Sequence, residues 1–300
     1  MENIKPKNVE EEIITLIRDY LCNLPDGKVY KDSIYNIENK IKNKKQHTDA
    51  PIEEHIEGMI MAMLTAERPW KYIDNSEMKD KINKAFKDYD AEALINADPE
   101  ILEQDIRDIK AGNRRISQQT KALKHNIKNL QTYEEENESI DKLYMNIGSS
   151  YKVAKFIDKN FKEIGIPLAC EYLANMGYDI PKPDSHLRRL FGSKRLGYSK
   201  KEKATIKEVF DIIDDFSAKL STGENPMYRK SIDYLLWLYC AKEYGEVCGE
   251  NADCEKCVIK DFCNKGKEKA EWTLYKTEHT GAVLYDVFRF IKGLSVKGYG

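Results

Sequence analysis

Four cysteines, Cys248, Cys254, Cys257 and Cys263, fall within the stretch CGENADCEKCVIKDFC at the spacing C-x5-C-x2-C-x5-C. Little in that stretch is apolar enough to bury four thiols as core filler, and thiolates crowded in this way are ligands for soft iron or zinc. A zinc ribbon brings two separated C-x2-C knuckles, each a tight turn. Here one knuckle is central and a single cysteine flanks it on each side. That compact set fits a cubane, whose irons hold their thiolates further apart than one metal ion does. The spacing favours a [4Fe-4S] cluster over a zinc site, and either over reactive thiols or disulfides. The remaining cysteines, Cys22, Cys170 and Cys240, lie in apolar helix-like segments and make an odd total of seven. Such usage suits a reducing cytoplasm rather than a disulfide framework.

Further upstream, the segment Phe161-Lys-Glu163-Ile164-Gly165-Ile166-Pro167-Leu-Ala169 reads as helix, tight turn, helix. A turn of this kind aims the backbone N–H groups of Ile164, Gly165 and Ile166, and a helix N-terminus, at a phosphate. Many helical proteins contain such a turn for packing alone. Fifteen residues beyond Ala169 stands Pro183-Asp184-Ser185-His186-Leu187-Arg188-Arg189. Asp184 occupies an N-cap position, where backbone donors and the helix dipole favour an anion. His186 is expected to orient its neighbours through hydrogen bonds rather than to act as a base.

The net charge of -2 gives no global pull toward nucleic acid. Two local runs are basic: Arg107, Lys110, Arg114, Arg115, Lys121, Lys124 and Lys128, then Lys182, Arg188, Arg189, Lys194, Arg195, Lys200, Lys201 and Lys203. Together they suit a phosphate-binding face; singly, either is an ordinary solvated surface.

The elements that must position these residues read as helices throughout. Apolar spacing predicts helices over 9–24, 52–66, 76–89, 91–96, 99–110, 117–133 and 149–161, with the acidic run 134–138 as a loop. Pro167 opens a helix that Gly177 closes, and further helices cover 184–191, 203–220 and 228–244. No segment alternates with period two, so the fold class is all-α. Charged residues make up 33% and the mean hydropathy is -0.66, and no apolar run reaches membrane-spanning length. Residues 1–12 have no apolar signal segment.

The order of hairpin, aspartate, long helical stretch and four-cysteine loop resembles the helix-hairpin-helix DNA glycosylases that carry an iron–sulfur cluster, the endonuclease III group. That group's hairpin reads roughly L-P-G-V-G-x-K-x-A, followed by V-D-x-H-x-x-R. Lys182-Pro-Asp184-Ser-His186-Leu-Arg188-Arg189 is similar to the second motif, and Asp233-Tyr-Leu-Leu-Trp-Leu-Tyr-Cys240 to the helix entering the cluster loop. The resemblance is strong over 161–263, tolerable over 52–133, thin over 1–50 and absent after 265. It implies two helical lobes with a cleft between them. One lobe spans 51–177 and ends in the hairpin; the other combines 1–50 with 178–300 and carries Asp184 and a [4Fe-4S] loop. It further implies a monomeric DNA glycosylase acting on double-stranded DNA with a damaged or modified base.

Three positions depart from the pattern. Glu163 replaces the first hairpin glycine. Pro167 stands where bifunctional members carry a lysine nucleophile, and proline cannot form a Schiff base. Lys152 and Lys162 are the nearest substitutes in sequence. The loop from Gly249 to Asp253 is acidic where the group's is basic.

Breaking an N-glycosidic bond builds positive charge on the sugar, which a carboxylate stabilises while it orients water. The resemblance assigns both tasks to Asp184, and phosphate contacts to the hairpin, Arg188 and Arg189. It places the wedge that fills the gap left by the flipped base at Glu67, with Arg68 and Trp70 as alternatives because an acidic wedge is unfavourable beside DNA. Tyr72, Tyr144, Tyr151 and Tyr172 are available to stack on a base, or else belong to the core. The rival readings are a bifunctional glycosylase/lyase, a non-catalytic cluster-bearing DNA-binding protein and a zinc-stabilised helical interaction protein. The apolar helix-like part of the tail (Val283, Leu284, Val287, Phe288, Ile291) is expected to pack on the cluster lobe.

Overall fold

The computed structural model describes residues 8–46, 49–65, 76–223 and 225–268. Among them the chain forms thirteen α-helices and two single 3-10 turns, and the one strand-like pairing is an isolated bridge between Thr222 and Asn225. The fold is all-α, as the periodicity requires. None of these helices is long and apolar enough to cross a membrane. The expected wedge residues Glu67, Arg68 and Trp70, together with Tyr72 and the tail beyond 268, lie outside the described residues.

Local signals set most boundaries. Asn8 caps α1 (Val9–Cys22), Pro51 precedes α3 (Ile52–Leu64), and Thr205 with Glu208 forms a reciprocal capping box at α12 (Ile206–Leu220). Two helices are missing from the expected set. The first is α2 (Gly27–Gln46), a polar helix that buries only Gly27, Tyr30 and Ile41 and so leaves little apolar periodicity to read. The second is the short α8 (Ile140–Ile147), started by the Ser139 side chain accepting from the Lys142 amide. The acidic run corrects another expectation: α7 (Ile116–Asn137) continues through it, because glutamate is a good helix former. Glu138, at φ 65, ends the helix instead.

The helices gather around two apolar cores. The first is built on α3, α7 and α10 (Ile166–Asn175), with α4 (Ser76–Ala85), α5 (Ala91–Asn96), α6 (Pro99–Asp108), α8 and α9 (Ser150–Asn160) around them. The second joins α1 to α11 (Ser185–Leu190), α12 and α13 (Arg229–Cys240), and includes Val247, Cys248 and Ile259 of the cysteine loop. α10 ends at Gly177, whose φ of +85 and close approach to α2 both require glycine: a Cβ there would come 2.8 Å from the Lys40 carbonyl oxygen.

Asp141 ties α2 and the first core together. Its carboxylate is 1% exposed and accepts from Lys44 of α2, from the Ala50 amide at 2.9 Å and from the Tyr178 hydroxyl, while the His55 ring stands 3.7 Å away. Burial opposes its charge, but His55, the Ala50 amide, Lys44 and Tyr178 outweigh it and hold the carboxyl well below the usual carboxylate range. His55 in turn meets the Tyr172 hydroxyl at 2.7 Å, and Tyr172 meets Tyr144 at 3.3 Å.

Asp141→Asn should therefore destabilise the protein by about 3 kcal/mol at neutral pH, read by urea unfolding. A depressed carboxyl contributes stability above its unfolded pKa of about 4 and loses it as pH falls toward the folded value. The gap between wild type and variant should narrow as pH is lowered below about 4. A gap that stays constant would show that Asp141 acts by packing alone.

Candidate active site and cysteine loop

Between α9 and α10 the chain turns through residues 161–165. Asn126 of α7, fully buried, clasps this turn on both sides of one residue: its side chain donates to the Lys162 carbonyl at 3.0 Å and accepts from the Lys162 amide at 2.8 Å. Glu163 sits at φ 61, the left-handed region where the resembled motif has glycine, so the carboxylate is carried at a strained position. Arg115 at the start of α7 pairs with it. Ile164 is 2% exposed and packs into the first core, so what it presents outward is backbone. Gly165 is the N-cap of α10, its carbonyl accepting from the Leu168 and Ala169 amides, with Pro167 in the first turn. With the Leu168 and Ala169 amides given to Gly165 and no N–H on Pro167, the Ile166 amide is the donor that the head of α10 offers to an anion.

Asp184 is the N-cap of α11. Its Oδ1 accepts from the His186 amide at 2.8 Å and the Leu187 amide at 3.1 Å. Its own amide donates to the Lys182 carbonyl at 2.8 Å, which closes a three-residue turn immediately before the helix. The carboxylate is half-buried. Burial lowers the His186 pKa, against the pull of Asp184 and with the push of Arg189, so the ring favours the neutral form.

Beside Asp184 lies a buried ion network that spacing alone did not reveal. Glu171 of α10 meets Lys182 at 3.3 Å and Lys230 of α13 at 3.7 Å, and Lys230 meets Asp233 at 2.9 Å. Burial opposes the charge on Glu171, but the two ammonium groups outweigh it and hold the carboxyl down to about 2. Burial pushes Asp233 up to about 6 against the pull of Lys230, with Asp184 and Glu171 adding to the rise. Lys230 is held in its charged form against burial by Asp233 and Glu171. The one sequence signal was a lone carboxylate inside the apolar run IPLACEYLAN.

The second basic run is largely spent on the chain itself. Arg188 donates to the Ala204 carbonyl at 2.8 Å, and Arg189 reaches both His186 at 3.1 Å and the Cys248 carbonyl at 3.4 Å. Arg195 is 6% exposed and reaches the carbonyls of Gly249 and Glu250 at 3.5 and 3.4 Å. Lys194, Lys200, Lys201 and Lys203 are exposed, as are Arg114, Arg115, Lys121, Lys124 and Lys128 beside the hairpin. Tyr144 and Tyr172 are core residues, not stacking platforms, and Tyr151 is half-buried edge-on to Phe210. Lys152 and Lys162 are exposed.

The cysteine loop hangs from the end of α13, with the Val247 amide donating to the Tyr239 carbonyl at 3.0 Å. Cys248, Cys254 and Cys263 are buried, Cys257 is half-buried, and all seven cysteines are free. Backbone amides of Ile259 and of Lys265 and Gly266 donate to the sulfurs of Cys257 and Cys263, and the Tyr239 hydroxyl meets the Cys257 sulfur at 3.4 Å. Cys240 hydrogen-bonds Cys248 and, with help from Arg195 and Arg189, draws its thiol down to about 7 against burial. Nη1 of Arg195 and Nε of Arg189 are buried with no hydrogen-bond partner. Among the described residues no three His, Cys, Asp or Glu side chains converge closely enough to hold a single metal ion.

Comparison with solved structures assigns the fold. The chain is similar to the 8-oxoguanine DNA glycosylase of Thermotoga maritima, with TM-score 0.52 and 18% identity over 78% of this chain and 97% of that one. The 8-oxoguanine DNA glycosylase of Methanocaldococcus jannaschii gives 0.50 and 20% over 79% and 100%. A trapped endonuclease III–DNA covalent intermediate gives 0.46 and 17% over 80% and 98%. No family model matches the chain, and no curated protein matches it in sequence. The fold is thus one shared with the two 8-oxoguanine DNA glycosylases.

If the hairpin meets a phosphate, the Glu163 carboxylate opposes that contact. Glu163→Gly removes both the charge and the left-handed strain, and should tighten duplex binding about fivefold, or about 1 kcal/mol, at low salt. Anisotropy titrations at two salt concentrations should show the gain shrinking as salt rises. Equal or weaker binding at low salt would place the hairpin away from the DNA.

Proposed function

We propose that the protein is a DNA glycosylase that hydrolyses the N-glycosidic bond of a flipped-out damaged or modified base, with Asp184 as the catalytic residue. The observation that carries this reading is the half-buried Asp184 carboxylate, held at a helix N-terminus in a fold shared with solved DNA glycosylases. A carboxylate fixed beneath the sugar stabilises the developing oxocarbenium ion and orients water. The flipped base enters the cleft between two helical lobes, residues 51–177 and residues 1–50 with 178–300. The hairpin amides of Ile164, Gly165 and Ile166 take the phosphate. Arg188 and Arg189 lie on the helix Asp184 starts, and Arg68 belongs to the segment expected to fill the vacated stack.

The reaction is read as monofunctional because Pro167 carries no amine at the hairpin position. Lys152 and Lys162 are exposed, which leaves neither fixed as a nucleophile must be.

The donor set of the cysteine loop fits a [4Fe-4S] cluster held by Cys248, Cys254, Cys257 and Cys263. Amide donors aimed at sulfur suit thiolates, and two buried guanidinium groups with unpartnered nitrogens suit an anionic group. Such a cluster would tie the loop in place; its own electron-transfer chemistry is not needed for hydrolysis.

Lesion-bearing duplexes, with 8-oxoguanine first because the solved neighbours are named for it, test the enzyme reading. Asp184→Asn should lower base release by about 100-fold or more while DNA binding is kept. Equal behaviour of wild type and variant on every lesion would leave a DNA-binding module instead. Borohydride should trap no covalent complex; a complex lost on Lys152→Ala or Lys162→Ala would establish a lyase. The anaerobically purified protein should show a broad absorption band near ~400 nm, which a zinc protein lacks.

A further inference from the structure

Resting on the reading of Asp184 as the catalytic residue, we propose that Glu171 is a positioning residue: through Lys182 it fixes the Asp184 carboxylate relative to the phosphate-binding hairpin. The hairpin and Asp184 belong to different elements, yet they must meet the phosphate and the sugar of one nucleotide at once. α10 carries the hairpin's second half, and Glu171 lies on it. The chain then leaves α10 at Gly177 and runs through 178–184 to Asp184 without helix. Extended backbone over that distance would let the carboxylate wander by more than catalysis tolerates.

Beside the buried Ile180, three polar side chains pin the connection. Tyr178 donates to Asp141. Asp179 accepts from the Lys230 amide at 3.0 Å and from Arg229 at 3.2 Å, which seats it on the first turn of α13. Lys182 pairs with Glu171 at 3.3 Å. Only the last is joined to Asp184 by the closed three-residue turn, in which the Lys182 carbonyl accepts the Asp184 amide. A displacement of Lys182 is therefore passed on within two residues. Lys230 meets the same Glu171 oxygen, Oε2, as Lys182 does, so the carboxylate joins α10, the connection and α13.

Energetics favour a geometric role. A buried ion network adds little stability over apolar residues of the same volume, but it is costly to break and admits one arrangement. Glu171 occupies a half-buried face of α10, where an apolar residue would pack at lower desolvation cost.

The test compares Glu171→Gln, Lys182→Met and Lys182→Arg with wild type in three measurements: single-turnover base release, duplex affinity and amide hydrogen exchange. Glu171→Gln and Lys182→Met should release base about 10- to 100-fold more slowly, with duplex affinity unchanged in Glu171→Gln, and Lys182→Arg should recover most of the rate. In both slow variants exchange should quicken at the His186 and Leu187 amides, which Asp184 caps, while α1 and α12 keep wild-type exchange. Wild-type exchange at those two amides overturns the proposal, and so does exchange that quickens throughout the molecule, which marks a merely structural role. If wild type releases no base from any lesion, the glycosylase reading falls, and the exchange arm still decides whether Glu171 positions Asp184.

Discussion

A carboxylate buried among apolar helices holds its place only while cations and donors face it, and two such carboxylates set the geometry of this molecule. Asp141 draws in Lys44 from α2 and Tyr178 from the connection after α10. Glu171 draws in Lys182 from the same connection and Lys230 from α13. Each therefore ties a helix of the first core to segments outside it. Apolar packing can fix helices against each other, but it is non-directional and does not place a polar group on a connecting strand of chain. Ion pairs with few permitted geometries do that, at little net gain in stability.

The same rule acts with opposite sign at the cysteine loop. Arg195 and Arg189 bring cationic groups into a buried setting, with nitrogens that find no hydrogen-bond partner. A buried guanidinium calls for an anion, and the available ones are the cysteine sulfurs that it borders. Val247, Cys248 and Ile259 are the loop's buried residues in the second core, with Cys257, Val258 and Phe262 packed against its edge, a small apolar surface for so many residues. Arg189 touches both a cysteine carbonyl and His186, so the loop and the helix that Asp184 caps share one side chain.

What could be read from the sequence was local. Asp184 announces itself as an N-cap because its partners are the amides two and three residues along the chain, and the hairpin does so because Gly165 permits the turn and Pro167 fixes the backbone after it. The cysteines are legible because all four lie within one loop. Glu171, Lys182 and Lys230 escaped because their meeting depends on how α10 and α13 cross, which no spacing encodes. α2 escaped for a different reason: most of its surface is solvated, so its apolar period is faint although its helix propensity is sufficient. The acidic end of α7 misled because charge was read as a loop signal, when the stopping signal was the left-handed residue after it.

The charges that position Asp184 bear on the proposed choice of nucleophile as well. A lyase needs a neutral amine at the anomeric carbon, and the hairpin position offers Pro167 instead. Two other ammonium groups stand in the surroundings of Asp184, and both are engaged by carboxylates: Lys182 by Glu171, and Lys230 by Asp233 and Glu171, which favour its charged form. Lys230, the cation between Asp233 and Glu171, cannot give up its proton without leaving a carboxylate uncompensated. Water, which the proposed mechanism has Asp184 orient, has no such competing duty. The contacts proposed to hold Asp184 in register would thus also keep Lys230 from covalent chemistry, which is the behaviour the proposed hydrolysis requires.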